Sequence, residues 1–401
     1  MLRVAHLIES SGPGGAERIV ADLAASFQAA DTENVVFLPR DGEDWLRRQL
    51  DGSGVAIDYF RIDRPVCPSA ARALTKALRA HRIDVAHSHE FSMAVYGGWA
   101  AWRAGIPHII TMHGGRYYAT HLRRRLALRA AIALSSSTVA VSGPLAEALS
   151  DDLRIRRSRI LMIPNGVRHV ESKQVTLRDE LGLASDDRLV VSVGNLYPVK
   201  GHQYLVEALA ILATRHPRLH VAIAGRGGLE DALRSNARAA GVSDRLHLLG
   251  LRSDIPAVLA SADIFALPSL SEGLPLALIE AMFAACPIVA TNVGEVGVVL
   301  EGGQVGVLVE PGNASPLAAA LDALLADPVH AKALGQRAAR HAQNQYSLAR
   351  MVGRYATLYE QALGATNEAL SRLSGRAQFC NEYSSGSVAI RTTSSCSAPP
   401  R

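Results

Sequence analysis

Residues 271–280 read SEGLPLALIE and closely follow the apolar run 264–267. A short apolar run that ends at turn-forming residues is typical of a buried strand. Gly273 and Pro275 suit a tight turn, and residues 276–284 have the pattern of a helix. The stretch therefore predicts a strand, a turn and a helix in succession, which is the repeating unit of α/β proteins.

Two carboxylates flank the predicted start of this helix. Glu272 would lie in the loop before the helix, and Glu280 would lie on its second turn. Free amides and the positive end of the helix, near Gly273 and Leu274, favour an anionic group such as a phosphate. A phosphate there, with a carboxylate on either side to accept hydrogen bonds from hydroxyl groups, would suit a sugar nucleotide. An ordinary amphipathic helix with one exposed glutamate is the alternative.

The same alternation of apolar runs and helical patterns extends through most of the chain. Strands are predicted at 2–8, 35–38, 57–60, 85–88, 108–112, 138–141 and 160–163, and then at 189–193, 219–224, 245–248, 264–267, 288–290 and 306–309. Helices are predicted at 16–27, 69–81, 93–104, 317–325, 331–341 and 348–363. This is the pattern of parallel sheets covered by helices on both faces. We therefore predict an α/β protein with two Rossmann-like, doubly wound domains that face each other across a cleft.

A chain of 401 residues is long for one core and natural for two domains. Residues 1–167 and 168–345 are predicted to form these domains, with the polar stretch 168–176 as the linker. Residues 346–364 are predicted to form a helix that packs back towards the N-terminal domain. Residues 365–401 are Ser-rich and aperiodic, so we expect a disordered tail.

Composition excludes several classes of protein. Hydrophobic content of 48% and charged content of 20% indicate a globular chain, and no apolar run approaches the ~18 residues of a membrane-spanning helix. The first strand-like run is too short for a signal peptide. The four cysteines show no metal-ligand spacing, which favours reduced thiols and a cytoplasmic location; they are Cys67, Cys286, Cys380 and Cys396.

Positive charge is concentrated in the first half of the chain. Residues 1–170 carry 22 basic and 16 acidic side chains, whereas residues 171–401 carry 20 and 21. No acid occurs between Glu90 and Glu147, an interval that contains Arg103, Arg116, Arg123, Arg124, Arg125 and Arg129. A basic face towards anionic lipid or a phosphate-bearing acceptor and a solvated helix face both fit this pattern. Nucleic acid is not expected as a partner, because zinc-finger and RRM-like motifs are absent from the sequence.

A glycine-rich loop joins the first predicted strand to a helix. Residues 10–17 read SSGPGGAE, and glycines there let backbone amides approach a phosphate. The loop lacks the third glycine of a dinucleotide fingerprint, because Glu17 stands in its place. A dehydrogenase is therefore the last of the functions that we weigh.

Histidines end two neighbouring predicted strands. The fourth strand leads into His87 and His89, and the fifth leads into His113 within TMHGG at 111–115. Metal ligation would need a third ligand, for which the spacing gives no support, so no metal site is predicted. A structural role fits His87 and His89 as well as a functional one.

These motifs together resemble those of retaining glycosyltransferases with the GT-B fold, above all glycosyltransferase family 4. Glu272 and Glu280 match the E-x7-E signature, and Gly14 and Gly15 belong to a GGAE element. TMHGG matches T-x-H-G, and residues 193–201, VGNLYPVKG, match VGRL-x3-KG. The resemblance covers nearly all of the chain before its Ser-rich tail.

The resemblance implies roles for the matching residues. His113 would contact the donor sugar, Lys200 would hold the donor diphosphate, and Glu272 would accept from sugar hydroxyls, which makes these the expected catalytic residues. Glu280 would accept from the ribose hydroxyls. The other expected donor-binding residues are Gly14, Gly15, Asn195, Arg226, Gly227, Gly273 and Leu274, and Arg116, Arg123, Arg124 and Arg125 are expected on the acceptor or membrane side.

One position departs from the family pattern. Asn195 replaces the usual arginine of the diphosphate clamp, and an amide brings neither charge nor a bidentate fork. Arg226 is expected to compensate. A non-catalytic, sugar-nucleotide-binding homologue with a decayed site is the alternative that this substitution favours.

The resemblance implies transfer of a hexose-type sugar, with retention, from a nucleotide-diphosphate sugar to a glycan or lipid-linked acceptor. UDP is favoured over GDP as the carrier, and a cell-surface polysaccharide or glycolipid as the product. Because no Asp-x-Asp occurs, neither a metal nor another cofactor is expected. The N-terminal domain would face the acceptor and the C-terminal domain the donor. An anionic membrane surface, at the inner face of the plasma membrane, is a further expected partner.

A glycoside hydrolase is the competing enzyme. It would use Glu272 and Glu280 as acid and base, and it would release free sugar without a nucleotide. The family-like loops around both residues argue against this function.

Overall fold

The structure, a computed structural model, describes residues 1–30, 32–62, 67–168 and 176–364. The tail that we predict to be disordered, 365–401, lies outside the described residues, as does most of the predicted linker.

Two cysteines are described, and both are buried: Cys67 and Cys286. Burial raises the pKa of the Cys286 thiol to about 12, so this group stays protonated at neutral pH. Cys380 and Cys396 lie outside the described residues.

The first sheet has seven strands within the described part of the chain, and all neighbours are parallel. They are β1 (Arg3–Leu7), β2 (Glu33–Pro39), β3 (Ala56–Phe60), β4 (Val85–His89), β5 (His108–Met112), β6 (Ser137–Ala140) and β7 (Ile160–Met162). Their order is β3-β2-β1-β4-β5-β6-β7. The order reverses between β1 and β4, and such a switch point opens a crevice at the carboxyl ends of the strands.

Helices cover both faces of this sheet. They are α1 (Gly15–Ala29), α2 (Trp45–Leu50), α3 (Pro68–Ala80), α4 (Glu90–Ala104), α5 (Leu122–Leu134) and α6 (Gly143–Leu153). Every residue of β4 and β5 is buried, because helices pack on either side. A Cβ at Gly97 would lie 2.1 Å from Ser88 Oγ, so this glycine allows α4 to lie close against β4.

The second sheet has six parallel strands among the residues described. They are β8 (Arg188–Val193), β9 (Leu219–Ala224), β10 (Leu246–Gly250), β11 (Ile264–Leu267), β12 (Ile288–Thr291) and β13 (Val307–Val309), in the order β10-β9-β8-β11-β12-β13. Here the order reverses between β8 and β11, so the loops after these two strands lie side by side.

The helices of the second half complete the architecture. They are α7 (Thr176–Glu180), α8 (His202–Leu212), α9 (Glu230–Ala239), α10 (Ile255–Ala260), α11 (Leu276–Phe283), α12 (Val296–Val299), α13 (Ala314–Ala326), α14 (Pro328–Gln345) and α15 (Leu348–Ala362).

The last helix, α15, packs against the first sheet, although it follows the second sheet in the chain. Its buried face, which includes Met351, Tyr355 and Tyr359, shares one apolar cluster with Val4 of β1 and Ile19 of α1. The chain therefore crosses from the second sheet back to the first before its described part ends.

The structure confirms the predicted α/β class. Each of the thirteen predicted strands is present among the described residues, with ends that differ from the prediction by at most two residues. Apolar runs indicated the strands because most strand residues are buried, although β4 also buries His87, Ser88 and His89.

Candidate active site

Glu272 lies in the loop between β11 and α11 and forms an ion pair with Lys200. Its Oε1 and Oε2 lie 2.7 and 2.9 Å from Lys200 Nζ, and Ser269 Oγ donates to Oε1 at 2.6 Å. The Glu272 side chain is 6% exposed and that of Lys200 is 28% exposed. The loops that carry them follow the paired strands β11 and β8, which explains why residues 72 positions apart meet.

Glu280 forms an ion pair with Arg18, a residue of the other domain. Arg18 Nη1 lies 2.6 Å from Glu280 Oε1, and the glutamate side chain is 11% exposed. Burial raises the pKa of Glu280, whereas Arg18 acts in the opposite direction. Arg18 was not predicted, although it directly follows the GGAE element.

Glycines bring the N-terminal loops close to the start of α11. A Cβ at Gly15 would lie 3.7 Å from Leu276 Cδ1, and a Cβ at Gly273 would lie 3.8 Å from His113 O. Gly14 precedes α1 as its N-terminal cap in an extended conformation. The predicted residues Gly14, Gly15, Gly273 and His113 therefore lie where the two domains meet, around the start of α11.

The expected role of Leu274 belongs to its backbone amide at the start of α11. Leu274 is 8% exposed and belongs to the apolar core of the second domain. Only its backbone amide can therefore contribute to binding at the start of α11.

A cavity of about 440 Å³ opens between the two domains. Its first-domain wall includes Glu9, Ser11, Glu17, Asp41 and Glu43, and its second-domain wall includes Asn195, Tyr197 and Arg226. The predicted pair Asn195 and Arg226 thus lines one wall. Four carboxylates face a single cation, and the Arg226 guanidinium lies 3.6 Å from the Glu43 carboxylate.

Gly227 supports the cavity wall through its backbone. A Cβ at this position would lie 2.5 Å from Leu196 O, so a larger residue would push the loop after β9 away from the loop after β8.

His113 lies in the loop after β5, which Glu90 holds in place. The His113 amide donates to Glu90 Oε1 at 3.0 Å. Burial raises the pKa of Glu90 to about 7 against the effect of this hydrogen bond, and the nearby Glu9 and Glu17 carboxylates raise it further. Glu90 has a φ of 65°, which is uncommon for a residue with a side chain. Sequence reasoning missed Glu90 because it looks like an ordinary acidic residue at a helix start.

Three buried histidines cluster beneath this loop: His6, His87 and His89. One ring nitrogen of each lies within 4.8 Å of the others, so His6 supplies the third imidazole that the sequence spacing could not reveal. Burial lowers the pKa of all three. Both His87 nitrogens lie 2.8 Å from hydroxyl groups, those of Tyr359 and Thr111. This donor set fits a hydrogen-bonded network better than a metal site, because ligation would require His87 to lose one hydroxyl partner.

The predicted arginine patch forms a separate cluster at α5 and α6. Arg116 pairs with Asp152 at 2.8 Å, and Arg125 donates to the Asp152 carbonyl. The Arg124 guanidinium lies 3.7 Å from the centre of the Tyr117 ring, whereas Arg123 is exposed. Three of the four arginines therefore have partners within the chain. In the part of the chain that the structure describes, no helix is both long and apolar enough for a bilayer crossing.

Comparison with known proteins identifies the family. Residues 13–170 match the model of Glycosyltransferase Family 4, and residues 173–341 match that of Glycosyl transferases group 1. A D-inositol 3-phosphate glycosyltransferase of Nocardia farcinica is 30% identical over 322 residues, which are 74% of this chain and 71% of the relative. The chain belongs to glycosyltransferase family 4.

Other relatives of this family 4 glycosyltransferase match shorter regions. The UDP-Gal:alpha-D-GlcNAc-diphosphoundecaprenol alpha-1,3-galactosyltransferase of Escherichia coli is 30% identical over 236 residues, or 55% of this chain. The alignment spans 61% of that relative, which is less than two thirds of its length.

Solved structures share the fold of this family 4 glycosyltransferase. HepE from Anabaena, solved in complex with UDP and with UDP-glucose, superposes with a TM-score of 0.78 at 23% identity. The match covers 90% of this chain and 100% of that chain. Sucrose-phosphate synthase from Thermosynechococcus elongatus gives a TM-score of 0.74 at 20% identity, with 91% and 100% coverage. The fold is therefore GT-B, with two Rossmann-like domains.

Proposed function

We propose that this family 4 glycosyltransferase moves a hexose-type sugar from a UDP-sugar to a hydroxyl group of a glycan or lipid-linked acceptor, with retention and without a metal ion. The observation that carries the proposal is the pairing of each E-x7-E carboxylate with a cation. Glu272 pairs with Lys200, and Glu280 pairs with Arg18 of the opposite domain. The first pair lies in the turn before α11, and the second pair lies on the second turn of that helix, so both are carried by one turn-to-helix segment in the cleft.

The two cations suit a departing diphosphate. As the bond to the sugar breaks, negative charge develops on the leaving group, and fixed positive groups in a dry cleft stabilise it. Lys200, Arg18 and the amides before α11 would neutralise this charge, whereas Arg226 faces Glu43 in the acidic cavity. The leaving phosphate would accept the proton of the acceptor hydroxyl.

The two carboxylates suit the neutral parts of the donor. When the diphosphate competes for Lys200 and Arg18, Glu272 and Glu280 become available to accept hydrogen bonds from hydroxyl groups. We assign sugar hydroxyls to Glu272 and ribose hydroxyls to Glu280. The complexes of HepE with UDP and UDP-glucose support UDP as the carrier.

The acidic cavity suits the acceptor. Its four carboxylates accept hydrogen bonds from hydroxyl groups and repel anions, which favours a neutral glycan unit over a phosphorylated one at this position. The alpha-D-GlcNAc-diphosphoundecaprenol named for the Escherichia coli relative supports a lipid-linked glycan in the synthesis of a surface polysaccharide or glycolipid.

The outer side of α5 suits a peripheral position at the inner face of the plasma membrane. Leu122 and Leu126 are 69% and 57% exposed at i, i+4 spacing, and the exposed Arg123 lies beside them. Sedimentation with vesicles that contain anionic lipid should fall in a Leu122→Ser, Leu126→Ser variant. Unchanged sedimentation would remove the membrane from this proposal.

Thermal stabilisation by ligands tests the donor. At about 100 times its Kd, a ligand stabilises the folded state by about 2.7 kcal/mol, which raises the Tm of a chain of 401 residues by roughly 3 °C. We expect this shift with UDP-glucose or UDP-galactose and a smaller one with GDP-mannose. A shift with NAD alone would indicate a dehydrogenase, and no shift with any UDP-sugar would contradict the proposal.

A non-catalytic homologue is the second candidate, favoured by Asn195. Its signature would be stabilisation by a UDP-sugar without release of UDP on any of a panel of glycan acceptors.

A further inference from the structure

Three imidazoles form a chain from the interior of the first sheet to the candidate active site. His6 Nδ1 lies 3.4 Å from His89 Nε2, and His89 Nδ1 lies 3.0 Å from His113 Nε2. Among the residues described, one nitrogen at each end of this chain is buried without a hydrogen-bond partner: His6 Nε2 and His113 Nδ1. Buried polar atoms rarely stay unpaired, so each end requires an explanation.

The three imidazoles are neutral at physiological pH. Burial lowers the pKa of His6 and of His113 to about 4, and it lowers that of His89 well below the usual value. A neutral imidazole has one N–H and one lone pair. Each contact in the chain therefore needs one of each, and all N–H groups must point in the same direction along it.

Asn34 determines that direction. Its Nδ2 donates to the Thr32 carbonyl at 2.9 Å, which fixes the orientation of the amide. Its Oδ1 is buried and has no partner among the described residues. Asn34 on β2 and His6 on β1 lie on the same face of the sheet, two residues apart in register. The Asn34 side chain raises the pKa of His6 against the larger effect of burial, so its oxygen acts on a proton of His6. An N–H on His6 Nε2 is attracted to this oxygen, whereas a lone pair there would set two acceptors against each other.

The position of the proton on His6 determines the positions of the protons on His89 and His113. With its proton on Nε2, His6 accepts at Nδ1 from His89 Nε2, and His89 accepts at Nδ1 from His113 Nε2. His113 then has its lone pair on Nδ1, the atom without a partner.

His87 stands beside this chain but outside it. Its ring centre lies 4.2 Å from that of His89, and its two nitrogens are bonded to Thr111 and Tyr359. It packs against the relay without breaking the direction of its N–H groups.

We propose that Asn34, His6 and His89 form a relay that fixes the tautomer of His113, so that His113 Nδ1 accepts a hydrogen bond from one hydroxyl group of the donor sugar. The relay residues act by positioning, and this inference rests on the proposed function. Selectivity follows, because a donor that lacks this hydroxyl leaves a buried acceptor unpaired. A donor sugar with a carboxylate in place of this hydroxyl group would set an acceptor oxygen against the lone pair of His113 Nδ1.

Nitrogen NMR of the ¹⁵N-histidine-labelled protein tests the tautomers directly. We expect Nδ1 of His113 to be unprotonated and Nε2 of both His113 and His6 to be protonated. Asn34→Leu should broaden or shift these signals, whereas Asn34→Asp, which keeps an acceptor oxygen, should preserve them. A proton on His113 Nδ1 in the parent protein would overturn the relay. This measurement needs no ligand, so it remains decisive even where the proposed function fails.

Binding of UDP-glucose and its monodeoxy analogues to the full chain, measured by calorimetry, tests the hydroxyl. We expect one analogue to bind the parent about tenfold more weakly than UDP-glucose. The same analogue should lose this penalty in His113→Ala, His89→Phe and Asn34→Leu and keep it in Asn34→Asp. Equal ratios in the parent and His89→Phe would overturn the proposal, and failure of UDP-glucose to bind the parent would instead count against the proposed function.

Discussion

At the scale of single residues, the surroundings of Glu90 change both its pKa and its backbone conformation. Glu90 combines a φ of 65° with a pKa raised to about 7 and a hydrogen bond from the His113 amide. An uncommon backbone conformation at such a place is tolerated when the surrounding structure determines it, and such residues cluster at functional sites. Glu90 is therefore part of the support for His113, although it belongs to none of the family motifs in the sequence.

Glu90 makes stability depend on pH. Its pKa lies above the unfolded value of about 4.5, so between these two values the folded chain binds a proton that the unfolded chain has released. This contribution is complete below pH 4.5 and is lost as pH rises through about 7, by roughly 1–3 kcal/mol. The Tm of the parent, relative to that of Glu90→Gln, should therefore fall between pH 5 and pH 8. Parallel pH profiles for the two proteins would contradict this.

At the scale of elements, apolar runs predicted the described strands, because most of them are buried along most of their length, although β3 and β7 are partly exposed. The predicted helix at 348–363 corresponds to α15, and its tyrosines reach His87 and Thr111. Sequence could not reveal these contacts or the third imidazole of His6. They arise from strand register and from helix packing, which bring together residues that are up to 272 positions apart.

The packing of α15 predicts a large effect of truncation. Met351 is 2% exposed and packs in the cluster with β1 and α1. Met351→Ala should lower the free energy of unfolding by about 2–4 kcal/mol, because it leaves a cavity in that cluster. Val329→Ala, at an 81% exposed position of α14, should change it by less than about 0.5 kcal/mol. Urea unfolding provides the comparison, and equal effects of the two substitutions would refute the assigned packing.

The turn after β12 supports the turn that carries Glu272. Gly294 has a φ of 53°, and a Cβ there would lie 1.9 Å from Glu272 O. Gly294→Ala should therefore move the turn that carries Glu272. We expect the rate at which UDP is released from the donor to fall at least tenfold. Gly302→Ala is the matched control, since Gly302 has a φ of 65° but no atom within 4 Å of the added methyl group. It should cost only about 1 kcal/mol of stability and leave activity intact. Similar activity of the two variants would argue against this coupling.

At the scale of the whole molecule, two sheets of similar build meet with their strand ends facing one cleft. The E-x7-E segment and the residues that match the other family motifs could be recognised in the sequence. It could not predict Arg18 against Glu280, because that contact spans the two domains and depends on how they pack. The relay from Asn34 to His113 could not be predicted either, because it depends on the register of four neighbouring strands of the first sheet. We therefore expect the cleft to hold a UDP-sugar between Lys200, Arg18 and the two motif carboxylates.

Calorimetric titration with UDP-glucose measures the contribution of Lys200 to donor binding. Loss of a charged hydrogen bond costs about 1.5–3 kcal/mol, so Lys200→Met should weaken binding at least tenfold relative to the parent. Lys332→Met, at an exposed lysine of α14 in the same domain, should bind like the parent. Equal affinity of the parent and Lys200→Met would contradict a donor site at Lys200.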